Sequence, residues 1–202
     1  MSELDFKINK MDYYFDRAEG KDCIDIADRC TEGILILWDK MVFDIKKCEG
    51  NIFFYKFKHG DITTKAEYLY TMDYLSCVLS AYKQTGNGLY KEKFLALFEM
   101  FIEYIKKENI FEDLLKSDIK AELPILGQVL VVIKALDVLG YIPHEDVIVN
   151  LFNEYINWLM EDENYFFDHN HGLFFDLALL HISVLFCNHP NSSQWQDRKS
   201  VV

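Results

Sequence analysis

The chain has 202 residues, half of them apolar, with 16 Phe and 12 Tyr but only three Pro and nine Gly. That is too apolar for a disordered chain, and so few breakers favour long helices around a sizeable core over a sandwich of short strands. A formal net charge of −12, from 33 acids and 21 bases, argues against a surface for nucleic acid or an anionic membrane, and sits awkwardly with an acidic polysaccharide as substrate.

The first 20 residues are weakly patterned and are expected to be disordered. The opening Met1-Ser2-Glu3-Leu4-Asp5 run has charges where a signal peptide needs an apolar stretch, which points to a cytoplasmic protein. A helix is predicted over Cys23 to Asp44, with Ile24, Ala27, Ile34, Leu37 and Met41 inward. Asn51 to Phe57 is aromatic and irregular, and His59-Gly60-Asp61 reads as a turn. From Thr64, Leu69, Met72, Leu75, Val78 and Tyr82 recur at spacings of three and four, the mark of one helical face. Gly86-Asn87-Gly88 ends that helix. Phe94, Phe98, Phe101 and Ile105 form the next stripe, with Glu99, Glu103 and Lys106 on the solvated side.

Leu123 to Leu139 is apolar on nearly all sides. Val129 to Ile133 has a strand-like composition, but the run is too long for a typical strand. Gly140 reads as a helix stop, so a helix is predicted. Pro143 followed by His144-Glu145-Asp146 reads as the next helix start, with Ile148, Leu151, Tyr155 and Leu159 inward. Glu161 to Asn164 is a polar break. The longest apolar run, Gly172 to Cys187, is interrupted by Asp176 and His181. It falls short of the roughly 20 residues a membrane span needs, and reads as a buried core helix. The fold class is therefore all-α, one domain over residues 1–202, built of helical hairpins joined by short connections. Such hairpins fit a layered bundle, a solenoid or an α/α toroid. Cys23, Cys30, Cys48, Cys77 and Cys187 form no CxxC pair and are odd in number, so they read as free, mostly buried thiols.

Asp168-His169-Asn170-His171-Gly172 is the segment with the most chemistry. It places polar and small residues between the triplet Tyr165-Phe166-Phe167 and an apolar helix, where backbone N–H groups can help hold an anion. The alternative reading is that Asp168 or Asn170 simply caps the helix, with the histidines at the surface. Asp168, His169 and His171 are the residue types of a metal site, but no spaced HExxH or CxxC partner accompanies them. His181 lies 11 residues after Asn170, close to three helical turns. It either lines the same cleft or is a satisfied core histidine, and Asp176 carries the same ambiguity.

The run from Asn170-His171-Gly172 through Leu173-Phe174-Phe175-Asp176 to Leu180 resembles the Asn-His-Gly motif that opens an inner helix in heparinase II/III-type and related alginate lyases. Upstream, Tyr74-Leu75, the Ala81 to Asn87 segment and Tyr90 are similar to a helix-turn-helix of that toroid domain. Phe101 to Ile105 stands where the family often has a Trp-Ile pair. The likeness covers roughly Ala27 to Trp195. It implies an incomplete α/α toroid and β-elimination at a uronic acid of an acidic polysaccharide or oligosaccharide, with no metal or cofactor. Asn170 and His171 would be the catalytic pair that serves the substrate carboxylate, with His169, His181, Tyr165 and Asp176 binding substrate. Neutralising that carboxylate stabilises the carbanion formed beside it. The family's catalytic tyrosine lies further downstream, after more toroid helices and before a β-sandwich, and nothing here replaces it, Tyr165 being only a nearby candidate. The resemblance therefore implies an incomplete toroid covered by an oligomer partner or by a further C-terminal region. The alternative is a non-catalytic helical module that binds carbohydrate or protein.

Overall fold

The computed structural model of the chain describes residues 18, 22–37, 41–55, 62–108, 121–165 and 170–197. These residues are mostly helical, with one short antiparallel strand pair. Apart from Ala18, the first 20 residues lie outside them. The chain divides into two compact units, one of Asp16–Pro143 and one of Met1–Phe15 with His144–Val202.

In the first unit, helix α1 (Cys23–Thr31) is capped by Asp22, whose carboxylate accepts from the Asp25 N–H at 3.1 Å. The helix predicted over Cys23 to Asp44 stops there. Gly33 follows at φ +90, a conformation that only glycine adopts without strain. The chain then forms β1 (Ile34–Ile36) against β2 (Val42–Asp44), with Leu35 opposite Phe43 and both buried. The β-branched Ile34 and Ile36 flank Leu35 and favour the pleated strand. The apolar spacing read as a helical face is here shared between a helix and a hairpin.

The second correction concerns the stretch from Thr64 to Thr85. The structure breaks it into α2 (Ile62–Thr71) and α3 (Asp73–Thr85), with Met72 between them at φ 59. Met72 is buried, and its left-handed conformation is strained for a residue with a side chain. The partner at this break is α5 (Glu122–Leu139). A β-carbon on Gly127 would lie 2.3 Å from the Thr71 carbonyl oxygen, so the absence of a side chain lets the end of α2 close onto α5. Next to it, the Gln128 side chain donates to the Tyr70 carbonyl at 2.9 Å, an acceptor at the end of a helix that has lost its intrahelical donors. α5 is buried without interruption from Glu122 to Ala135, and the helix reading of this apolar run holds over the strand reading. Gly140 ends it at φ 77, donating to the Leu136 carbonyl.

α4 (Gly88–Lys107) starts as expected after Gly86 at φ 69, and Asn87 caps it by accepting from the Leu89 N–H. Phe94, Phe98 and Phe101 are buried, while Glu99, Glu103 and Lys106 face solvent. The aromatic stretch after Asn51 folds into a short 3₁₀ turn, Ile52–Phe54. Phe53 packs between Phe101 and Tyr104, with centroids at 5.3 and 6.1 Å. α3 packs on α1, α4 and α5, so it is the central helix of this unit.

The second unit contains α6 (Glu145–Leu159), a 3₁₀ turn at Asp162–Asn164, α7 (Asn170–Leu185) and the short α8 (Ser192–Asp197). His144 precedes α6 at φ 55, and Glu145 and Asp146 stand in its first turn, where the helix dipole favours them. Ile148, Leu151, Tyr155 and Leu159 are buried as predicted. α7 packs on α6 and α8. Among the described residues no helix is long and apolar enough to cross a membrane.

Candidate functional site

The sequence places every candidate site residue in the second unit, within α7 or just before it. Trp158, near the end of α6, stacks on the buried Phe175 of α7 with centroids 4.8 Å apart. Tyr165 leaves the 3₁₀ turn and meets the same ring edge-on at 5.8 Å. That contact aims its hydroxyl at the next residue of α7, and it donates to Asp176 Oδ2 at 3.1 Å. The turn itself is held by Asn164, whose side-chain amide donates to the Trp158 carbonyl at 3.0 Å and to Glu161 Oε2 at 2.8 Å. One donor group thus satisfies a carbonyl at the C-terminal end of α6. Both Tyr165 and Asp176 are half-buried.

Asp168 and His169 lie outside the described residues, as does the side chain of Asn170. The backbone of Asn170 opens α7, where the Asn-His-Gly resemblance expects an inner helix to begin. His171 is half-buried and meets Phe174, one turn on, edge to face at 5.8 Å. His181 is buried, and its Nδ1 lies 2.6 Å from the Leu177 carbonyl oxygen. A carbonyl only accepts, so this contact requires a proton on Nδ1 and leaves Nε2 as the acceptor of the neutral ring. The core-histidine reading of His181 therefore has a named partner within its own helix. Of the predicted substrate-binding residues, the geometry brings Tyr165 and Asp176 together. Among the described residues, no three His, Cys, Asp or Glu side chains gather as a metal site.

A further feature was open to sequence reading but hidden by the whole-chain charge. From His144 to Asp197 the chain carries nine Asp and Glu and neither Lys nor Arg, while five of the six histidines fall in the same stretch. Glu154, Glu161, Asp162, Glu163 and Asp197 are exposed. The segment therefore offers no Lys or Arg to set against a carboxylate.

Comparison with protein-family profiles, with curated proteins and with solved structures finds no match to this chain.

Proposed function

We propose that this protein is a non-catalytic helical binding module whose ligand is a partner protein rather than a polyanionic sugar. One observation carries the reading. The segment from His144 to Asp197, which holds every candidate site residue, contains nine Asp and Glu and neither Lys nor Arg. Stabilising the carbanion of a uronate requires donors or cations aimed at its carboxylate. Binding a chain of such sugars through an acidic segment costs electrostatic free energy before any chemistry begins. The Tyr165–Asp176 pair adds to this. A tyrosine acting as base must accept a proton, and the Tyr165 hydroxyl instead donates its own to a carboxylate.

A second reading keeps the lyase chemistry implied by the Asn-His-Gly resemblance, with Asn170 and His171 serving a uronate carboxylate, Tyr165 and Asp176 near the substrate, and the helical hairpins forming part of an α/α toroid. The start of α7 at Asn170 favours it.

The two readings separate in one assay. The chain is mixed with alginate and with heparin oligosaccharides at neutral pH and low salt. Binding is followed by calorimetry, and elimination by the ultraviolet absorbance of the unsaturated uronate. The module reading expects neither binding nor product. Product formation that disappears in Asn170→Ala would establish the lyase reading in its place.

A further inference from the structure

α7 is apolar on every side. Gly172, Phe175, Ala178, Leu179, Ile182 and Leu185 are buried. On the opposite side Leu173, Leu177, Leu180 and Val184 recur at i, i+4, i+7 and i+11, which lines them along one stripe. Leu173 is 56% exposed and the other three are half-buried. A helix apolar all round is normally covered all round, and an exposed apolar stripe on such a helix is a surface that fits a partner.

The charge around the stripe selects the partner. Asp176 stands three residues after Leu173 and four before Leu180, so it neighbours both on the helix surface. Within α7 it is the only Asp, Glu, Lys or Arg. A second copy of this chain would bring the same sign of charge to the same face, at −12 per chain, and an anionic membrane would do likewise. Resting on the binding-module reading, we infer that the Leu173–Leu177–Leu180–Val184 stripe is the docking face for a basic amphipathic helix of a partner protein. Leucine-type anchors of the partner, one helical turn apart, lie along the stripe. Its Lys and Arg residues flank them, facing Asp176.

The probe is a synthetic amphipathic helix of Leu and Lys, fluorescently labelled, titrated with the full chain and followed by anisotropy. A Leu/Glu peptide of the same pattern is the control. The Leu/Lys peptide is expected to bind and the Leu/Glu peptide not, and raising the salt weakens binding because exposed charges are screened. Leu173→Gln and Leu180→Gln are expected to weaken it about tenfold each, since each removes a buried leucine from the contact. Leu173 is exposed, so Leu173→Gln keeps the test decisive if Leu180→Gln fails to fold. Equal affinity of wild type and Leu173→Gln overturns the docking face. Binding of both peptides overturns the charge selection. A homodimer dissolved by Leu173→Gln, or no peptide binding together with no uronate elimination, overturns this occupant and leaves the module reading standing. Uronate elimination overturns the module reading itself.

Discussion

Gly127 of α5 and Thr71 at the end of α2 touch backbone to backbone: a β-carbon at Gly127 would lie 2.3 Å from the Thr71 carbonyl oxygen and 2.7 Å from its Cα. Neither atom can swing aside, because both belong to the main chain. Gly127→Ala therefore sets two effects against each other. Alanine in a helix interior gains up to about 1 kcal/mol over glycine. Overpacking against a fixed backbone costs about 1–3 kcal/mol or more. The clash wins, and the variant should unfold at lower denaturant concentration than wild type in a chemical denaturation series. An unchanged midpoint would mean that α2 and α5 can part without cost.

Gln128 makes the adjoining prediction. Its amide is the donor to the Tyr70 carbonyl beside the break at Met72. Gln128→Leu keeps most of the volume and removes the donor from a part-buried acceptor, which costs about 1 kcal/mol. Hydrogen exchange is the informative readout, with amides at the end of α2 and the start of α3 losing protection first.

Tyr165→Phe keeps the ring against Phe175 and deletes the hydroxyl that donates to Asp176. A half-buried bond of this kind contributes about 0.5–1.5 kcal/mol. The loss should appear as a small drop in melting temperature, matched by Asp176→Ala, which removes the acceptor. The double variant should cost less than the sum of the two if the pair acts as one unit.

The thiol of Cys30, buried on α1, is pushed up to about 12, first by burial, with Lys93 opposing. Burial also lifts the neighbouring Tyr74 phenol well above its ordinary range, and Cys30 and Asp73 push in the same direction. In both groups the folded chain holds its proton more tightly than the unfolded chain. Their contribution is therefore complete below the unfolded values, near pH 9 for the thiol, and is lost as pH rises through the folded ones. Melting temperature should fall steeply between about pH 9 and 12, and Cys30→Ala should make that slope shallower. A flat alkaline profile would contradict the buried placement of both groups.

Local chemistry made much of the fold legible. Gly86, Asn87 and Gly140 mark helix ends because glycine at positive φ and an asparagine cap act within a few residues. The Phe94–Phe98–Phe101 stripe follows from period alone. What escaped was decided at long range. The apolar positions from Leu69 to Tyr82 suit one helix, and the break at Met72 accompanies Gly127, more than fifty residues away, closing on Thr71. The Ile34–Ile36 strand is equally compatible with a helical face until its pairing with Val42–Asp44 is known.

In the candidate site, the residue types of Tyr165 and Asp176 stood out, but their hydrogen bond depends on Trp158 and Phe175 fixing the ring. His181 could be read two ways until the Leu177 carbonyl was placed beside it. The lack of Lys and Arg between Lys134 and Arg198 needed no structure. A single net charge for the whole chain averages it away.

That run has a consequence for proteolysis. Trypsin cuts after Lys and Arg, and between Lys134 and Arg198 it has no site at all. Lys134 is buried within α5. Tryptic release of the segment that bears α6, α7 and α8 at its leading end therefore requires α5 to open. The rate of that one cleavage measures the opening of α5 in the first unit, however loosely or tightly the second unit is folded.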